Sequence, residues 1–182
     1  MHRTNRSIAT HIAALIIVMV CAASASANPV TNGVVSFEYG FLCMIEPEGE
    51  IPAEDTLTGT INIISQVPRF AQRGTTVPAM KGVEFGVLVQ VVPEFDGPAV
   101  FYTEHPPQGD NGVTRESWTG TLSAEEATYI GFGFEYDFEL TPGPWTLSAV
   151  QGEVLIYEIT FDVVPASAMA AANLNCGPAL VS

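Results

Sequence analysis

Positive charge is what this sequence has least of. Six Lys and Arg residues stand against 20 Asp and Glu in 182 residues, a formal net charge of −14. Such a surface repels nucleic acid and anionic lipid, so neither is an expected partner. Histidine is scarce as well: beyond the first dozen residues only His105 occurs. Catalysis built on histidine needs a nucleophile or carboxylate placed beside it, and neither a Gly-x-Ser-x-Gly elbow nor a paired-histidine zinc motif is present. With 3 cysteines in the chain, a transition-metal site lacks ligands, so no metal or cofactor is expected. Helical periodicity of useful length is also missing from residues 28–164.

The N-terminus carries a different signature. Arg3 and Arg6 precede an apolar or small run from Ile12 to Ala23, followed by Ala25-Ser26-Ala27 and then Asn28-Pro29. This is the pattern of a secretory signal peptide, 1–27, cleaved after Ala27. The run is short for a membrane span, which needs about 20 residues. A lipid anchor at Cys21 is disfavoured by bulky Val20 before it. The expected location is periplasmic or secreted, with no membrane insertion after cleavage. Residues 28–182 are one domain's length, and keep only Arg69, Arg73, Lys81 and Arg115 as positive residues. Cys43 and Cys176 remain, and an oxidising compartment predicts a disulfide between them.

Alternation with period two runs through the rest. Val35, Phe37, Tyr39, Phe41 and Cys43 share a face, as do Val83, Phe85, Val87, Val89 and Val91. Ile130, Phe132, Phe134, Tyr136 and Phe138 form a third set, and Leu155, Tyr157, Ile159, Phe161 and Val163 a fourth. A strand sends successive side chains to opposite faces, so each run has a buried and a wet side. Thr56 to Ile64, Pro98 to Glu104 and Val113 to Leu122 read as further strands. Trp145 to Val150 pairs with Val154 to Val164 across Gln151-Gly152. Eight candidate strands separated by Gly, Pro, Asp and Asn turns predict an all-β antiparallel sandwich, with a closed barrel as the alternative. Glu46 to Asp55 and Gln66 to Thr76 are the longest expected loops. A short C-terminal helix or tail, 165–182, follows, with Pro165 opening an alanine-rich stretch.

Several blocks, taken in order, carry a resemblance. They are Tyr39-Gly40-Phe41 with Cys43, Gly59-Thr60-Ile61, and Val77-Pro78-Ala79 followed by Gly82, Phe85 and Gly86. Then come His105-Pro106-Pro107, Gly112, Thr114 and Trp118, and finally Gly143, Trp145-Thr146-Leu147, Phe161, Val163-Val164-Pro165 and Cys176. Over nearly all of residues 28–182 the chain resembles the bacterial domain of unknown function 3859 (DUF3859). The resemblance implies an exported protein of a Gram-negative bacterium and supplies no catalytic or binding residue to carry over. Glu104 stands where a small polar residue is expected before the His-Pro-Pro block. The last hairpin is immunoglobulin-like by analogy only, and a fold does not imply a function.

The candidate contact surface is His105, Pro106, Pro107 and Trp118, with no catalytic residue assigned. The simpler reading of His105 is a loop-fixing hydrogen-bonding group. Trp118, Tyr102 and Tyr129 offer flat apolar area with a polar edge. A carboxylate pair for glycan hydrolysis would come from Glu84, Glu94, Glu116, Glu135 and Glu158. Glu46, Glu48, Glu50, Glu54 and Asp55 are the best calcium candidates but lack a calcium-loop spacing. The resulting expectation is a non-catalytic binding or interaction module of the cell envelope, its partner an envelope protein or glycan. The alternatives are a calcium-stabilised structural domain and a carboxylate-based hydrolase.

Overall fold

A computed structural model describes residues 29–169. The expected signal segment and most of the C-terminal tail, Cys176 included, lie outside them.

Twelve strands follow in chain order: β1 (Val30–Thr31), β2 (Val34–Cys43), β3 (Gly49–Pro52), β4 (Thr60–Ile63), β5 (Gln72–Arg73), β6 (Thr76–Ala79), β7 (Val83–Val91), β8 (Gly97–Gln108), β9 (Val113–Leu122), β10 (Thr128–Gly133), β11 (Gly143–Gln151) and β12 (Val154–Pro165). One sheet has the order β1-β12-β11-β8-β9, with β6 parallel to the far end of β12. The second has the order β10-β7-β2-β5, and β3 and β4 form a separate hairpin. The two large sheets stack face to face as an antiparallel sandwich with edges, not as a barrel.

Alternation explains the core. Val83, Phe85, Val87, Val89 and Val91 of β7 are all fully buried. Opposite them stand Phe101 of β8, Trp145 and Leu147 of β11, and Ile159, Phe161 and Val163 of β12. Trp145 sits at the centre, its ring 4.8 Å from Phe132, 5.6 Å from Phe134 and 5.7 Å from Phe85. Its indole N–H donates to the Thr141 carbonyl at 3.0 Å, so the polar edge of the largest core residue is satisfied. The β11–β12 hairpin closes where expected, with Gly152 at φ +61°, a conformation that favours glycine.

Three runs depart from simple alternation. The pairing of β2 with β7 shifts between Val34 and Ser36. Val34 therefore packs on the core while Val35 is 62% exposed. A similar shift between Ala149 and Val150 places both Ile156 and Tyr157 in the core. An extra residue in one strand inverts the faces beyond it, which a period of two cannot reveal. The third run breaks early: β10 ends at Gly133, Phe134 stays buried, and Tyr136 and Phe138 emerge to stack on each other at 5.4 Å.

Other expectations are corrected. The expected acidic loop contains β3, hydrogen-bonded to β4 from Gly49↔Ile63 to Pro52↔Thr60. The expected tail helix is, within the described residues, only a 3-10 turn at Ala166–Ala168. The expected Cys43–Cys176 bridge falls partly outside the described residues: no disulfide joins two of them, since Cys43 is their only cysteine and Cys176 is not among them. Cys43 is nonetheless engaged and not a free thiol. Beside it, the Met44 N–H donates to the Gly82 carbonyl at 2.8 Å, so backbone pairing holds the end of β2.

Candidate functional site

The β3–β4 hairpin belongs to neither sheet, so bonds outside the sheet ladders must hold it. The Leu57 N–H, in the turn between its strands, donates to Glu116 Oε2 of β9 at 2.5 Å. Asn62 of β4 donates from Nδ2 to Glu135 Oε1 at 2.6 Å. The Ser117 N–H donates to the Asp55 carbonyl at 3.1 Å. Between these anchors a cleft of about 510 Å³ opens against β9 and β10, a volume suited to a small organic ligand.

The walls mix aromatic area with oxygen. Phe132 and half-buried Trp118 supply flat apolar surface, and Ile51 and Ile63 line the hairpin side. Thr103, Thr119, Thr121 and Thr128 contribute hydroxyls. Five carboxylates line the cleft: Glu50, Glu84, Glu116, Glu135 and Glu139. No Lys, Arg or His lines it, and Asn62 is the one side-chain amide. The site is rich in acceptors and poor in charged donors.

The carboxylates differ in how they are held. Glu139 Oε2 accepts from the Glu135 N–H at 2.6 Å and the Tyr136 N–H at 2.7 Å, capping the turn after β10. Burial nevertheless raises its pKa to about 7, because removing water disfavours the charged form. Glu116 has both oxygens occupied, by Leu57 N–H and by His105 Nε2 at 3.2 Å. Glu84 is different. Only 5% of it is exposed, and its Oε2 has no hydrogen-bond partner. Burial raises its pKa to about 7, with the Tyr129 hydroxyl and the Ile45 backbone opposing and the Glu135 charge adding to the rise. The Tyr129 hydroxyl, pushed well upward by its own burial, is likewise without a hydrogen-bond partner of good geometry.

The strands place these groups by register. Gly131, Gly86 and Gly40 are paired across β10, β7 and β2. A Cβ at Gly131 would collide with the Tyr129 hydroxyl, so the missing side chain makes room for the phenol. On β7, Glu84 alternates with the core residues Val83 and Phe85 and so faces away from the sandwich interior.

His105 is not on the surface expected for it. Its side chain is fully buried, its ring lies 4.8 Å from Trp145, and its Nδ1 is 2.8 Å from the Pro106 carbonyl. Both ring nitrogens therefore face oxygens. The physical reason for the burial is plain alternation along β8, which carries Ala99, Phe101, Thr103 and His105 to the buried face; the register shift between Glu104 and Gln108 then accommodates Pro106-Pro107. Pro106 is half-buried and Pro107 exposed.

Trp118 lines the cleft, and so do Tyr129, Glu84, Glu116 and Glu135. Glu94 and Glu158 are exposed elsewhere. Tyr102 lies outside the cleft, with the Arg115 guanidinium 4.0 Å from its ring centroid. Glu139 and the contribution of Glu50 escaped the sequence reading. Glu50 looked like part of a solvated loop, and Glu139 acts through a turn that alternation does not announce. Among the described residues no three His, Cys, Asp or Glu side chains gather as a metal site.

A family model for the domain of unknown function DUF3859 matches residues 31–163. The chain belongs to this family. No curated protein matches this DUF3859 chain. Among solved structures it is similar to an immunoglobulin-like protein from Pseudomonas aeruginosa. The two are 22% identical, the match covers 78% of this chain and 100% of that one, and the TM-score is 0.45. No helix among the described residues of the DUF3859 chain is long and apolar enough to cross a membrane.

Proposed function

We propose that this chain is a non-catalytic binding module of the cell envelope, and that the cleft beside the β3–β4 hairpin receives its ligand. The observation that carries the reading is the cleft itself: about 510 Å³, with Trp118 and Phe132 beside oxygen-bearing walls. Flat apolar area supplies affinity, and a few convergent polar groups supply orientation. The signal pattern at 1–27 supports an exported location. The test is NMR mapping of residues 28–182 against fractionated envelope material. Shifts concentrated at the Trp118 indole, Thr121 and Asn62 support the reading. Shifts confined to surfaces away from the cleft, or none, overturn it.

A second reading has one observation in its favour. Glu84, with a pKa near 7, has the character of a general acid, and Glu135 shares its cleft. A carboxylate hydrolase uses such a pair. It ranks second because two other cleft carboxylates, Glu116 and Glu139, are committed to hydrogen bonds that hold the fold. Release of reducing sugar from envelope glycans by the wild type and not by E84Q would promote it.

A further inference from the structure

We propose that the cleft selects an amphipathic organic cation, a small molecule carrying more than one ammonium group on an apolar chain. The inference rests on the binding-module reading above and names the class of its ligand.

The acidic lining alone would mean little in so acidic a chain. What distinguishes this cleft is orphaned, buried oxygen. Glu84 is 95% buried by its 5% exposure, and its Oε2 has no partner; Thr103 is fully buried, and its Oγ1 has none either. Both residues line the cleft. A buried polar oxygen without a partner is costly, and no Lys, Arg or His side chain itself lines the cleft. The Tyr129 hydroxyl and the Ile45 backbone are the neutral groups that act on Glu84, so a charged partner for it is left to the ligand.

Charge decides which donor fits. The Glu135 charge acts on Glu84 and discourages its ionisation. A cation between two carboxylates reverses that repulsion, whereas an anion adds to it. A single inorganic cation is a poor match, since no three acidic side chains gather around one point. The five carboxylates are instead distributed through a cleft that also presents Phe132, Trp118, Ile51 and Ile63. Ammonium groups separated by methylenes meet this pattern: charges against carboxylates, chain against apolar wall, and an ammonium near an aromatic face. A neutral sugar suits it less, because it leaves the lining carboxylates without a countercharge.

Binding to ionised Glu84 displaces its proton, so cation affinity and proton release are linked. The experiment is isothermal titration of residues 28–182 with spermidine, in buffers of differing ionisation enthalpy, at pH 6 and pH 8. Cellobiose serves as the uncharged probe. Spermidine is expected to bind more tightly at pH 8, to release protons near pH 7, and to bind at least roughly tenfold more weakly to E84Q. E158Q, at an exposed carboxylate outside the cleft lining, is expected to bind like the wild type. Equal binding to E84Q and wild type means a diffuse acidic surface and overturns the proposal. Binding of cellobiose without spermidine also overturns it, while leaving the binding-module reading standing. Binding of neither ends the cation proposal, and the NMR mapping then decides the broader reading separately.

Discussion

Glu84 shows how one side chain can be mis-set for stability and well set for a ligand. Its folded pKa, about 7, lies above the ordinary glutamate value of 4.5. The fold therefore prefers the protonated carboxyl. The associated stability is present below about pH 4.5 and is lost as pH rises through about 7. Above that, the ionised group costs on the order of 3 kcal/mol. Replacing it by the neutral isostere removes the dependence. E84Q is expected to melt several degrees above the wild type at pH 8 and to show no gain below pH 4.5. Parallel thermal melts across that range check the sign; a gain at low pH, or none at high pH, contradicts the burial argument. The candidacy of Glu84 was visible in the sequence as a polar residue alternating with Val83 and Phe85. Its isolation was not, because an outward-facing carboxylate is solvated unless another element covers it.

At the scale of elements, the hairpin and the glycine row carry the predictions. The β3–β4 hairpin is tied to β9 by the Leu57 N–H to Glu116 bond. E116A removes that acceptor and also strands buried His105. The loss is expected to cost roughly 2–4 kcal/mol. Hydrogen exchange should show the Leu57 and Ala53 amides losing protection, while those of β7 change only by the global destabilisation. In the glycine row, a Cβ at Gly86 would strike the Ile130 carbonyl and come within 2.6 Å of Gly131 Cα. Neither obstacle is a flexible side-chain end. G86A is therefore expected to destabilise by about 1–3 kcal/mol in urea unfolding. Four long strands and the final hairpin could be read from alternation and the Gln151-Gly152 turn. The bulges at Val34 and Ala149 could not, because a bulge is a property of two strands in register. The hairpin lay concealed among acidic residues that also suit a loop.

Across the whole molecule, charge imbalance is the dominant feature. A formal net charge of −14 is relieved by few cations. The ion pairs Arg73–Glu38 and Lys81–Asp137 are well exposed, so each contributes little. Self-repulsion should thus outweigh surface attraction. Raising sodium chloride from low millimolar to about 0.5 M shortens the Debye length to a few ångströms. The melting temperature at pH 7.5 is expected to rise over that range. A fall would show that attractive pairs, not repulsion, govern the surface.

The order of residues along the chain determined the sheet class, the greasy faces of most strands and the scarcity of cations. These follow from local periodicity and composition, which need no partner to exist. The tertiary structure alone decided that Val35 is wet, and that Glu84, Glu135 and Trp118 share a cleft. Each of those outcomes depends on which strand lies beside which, and in what register. Alternation tells a residue that it must choose a side; only the neighbouring strand determines what stands there.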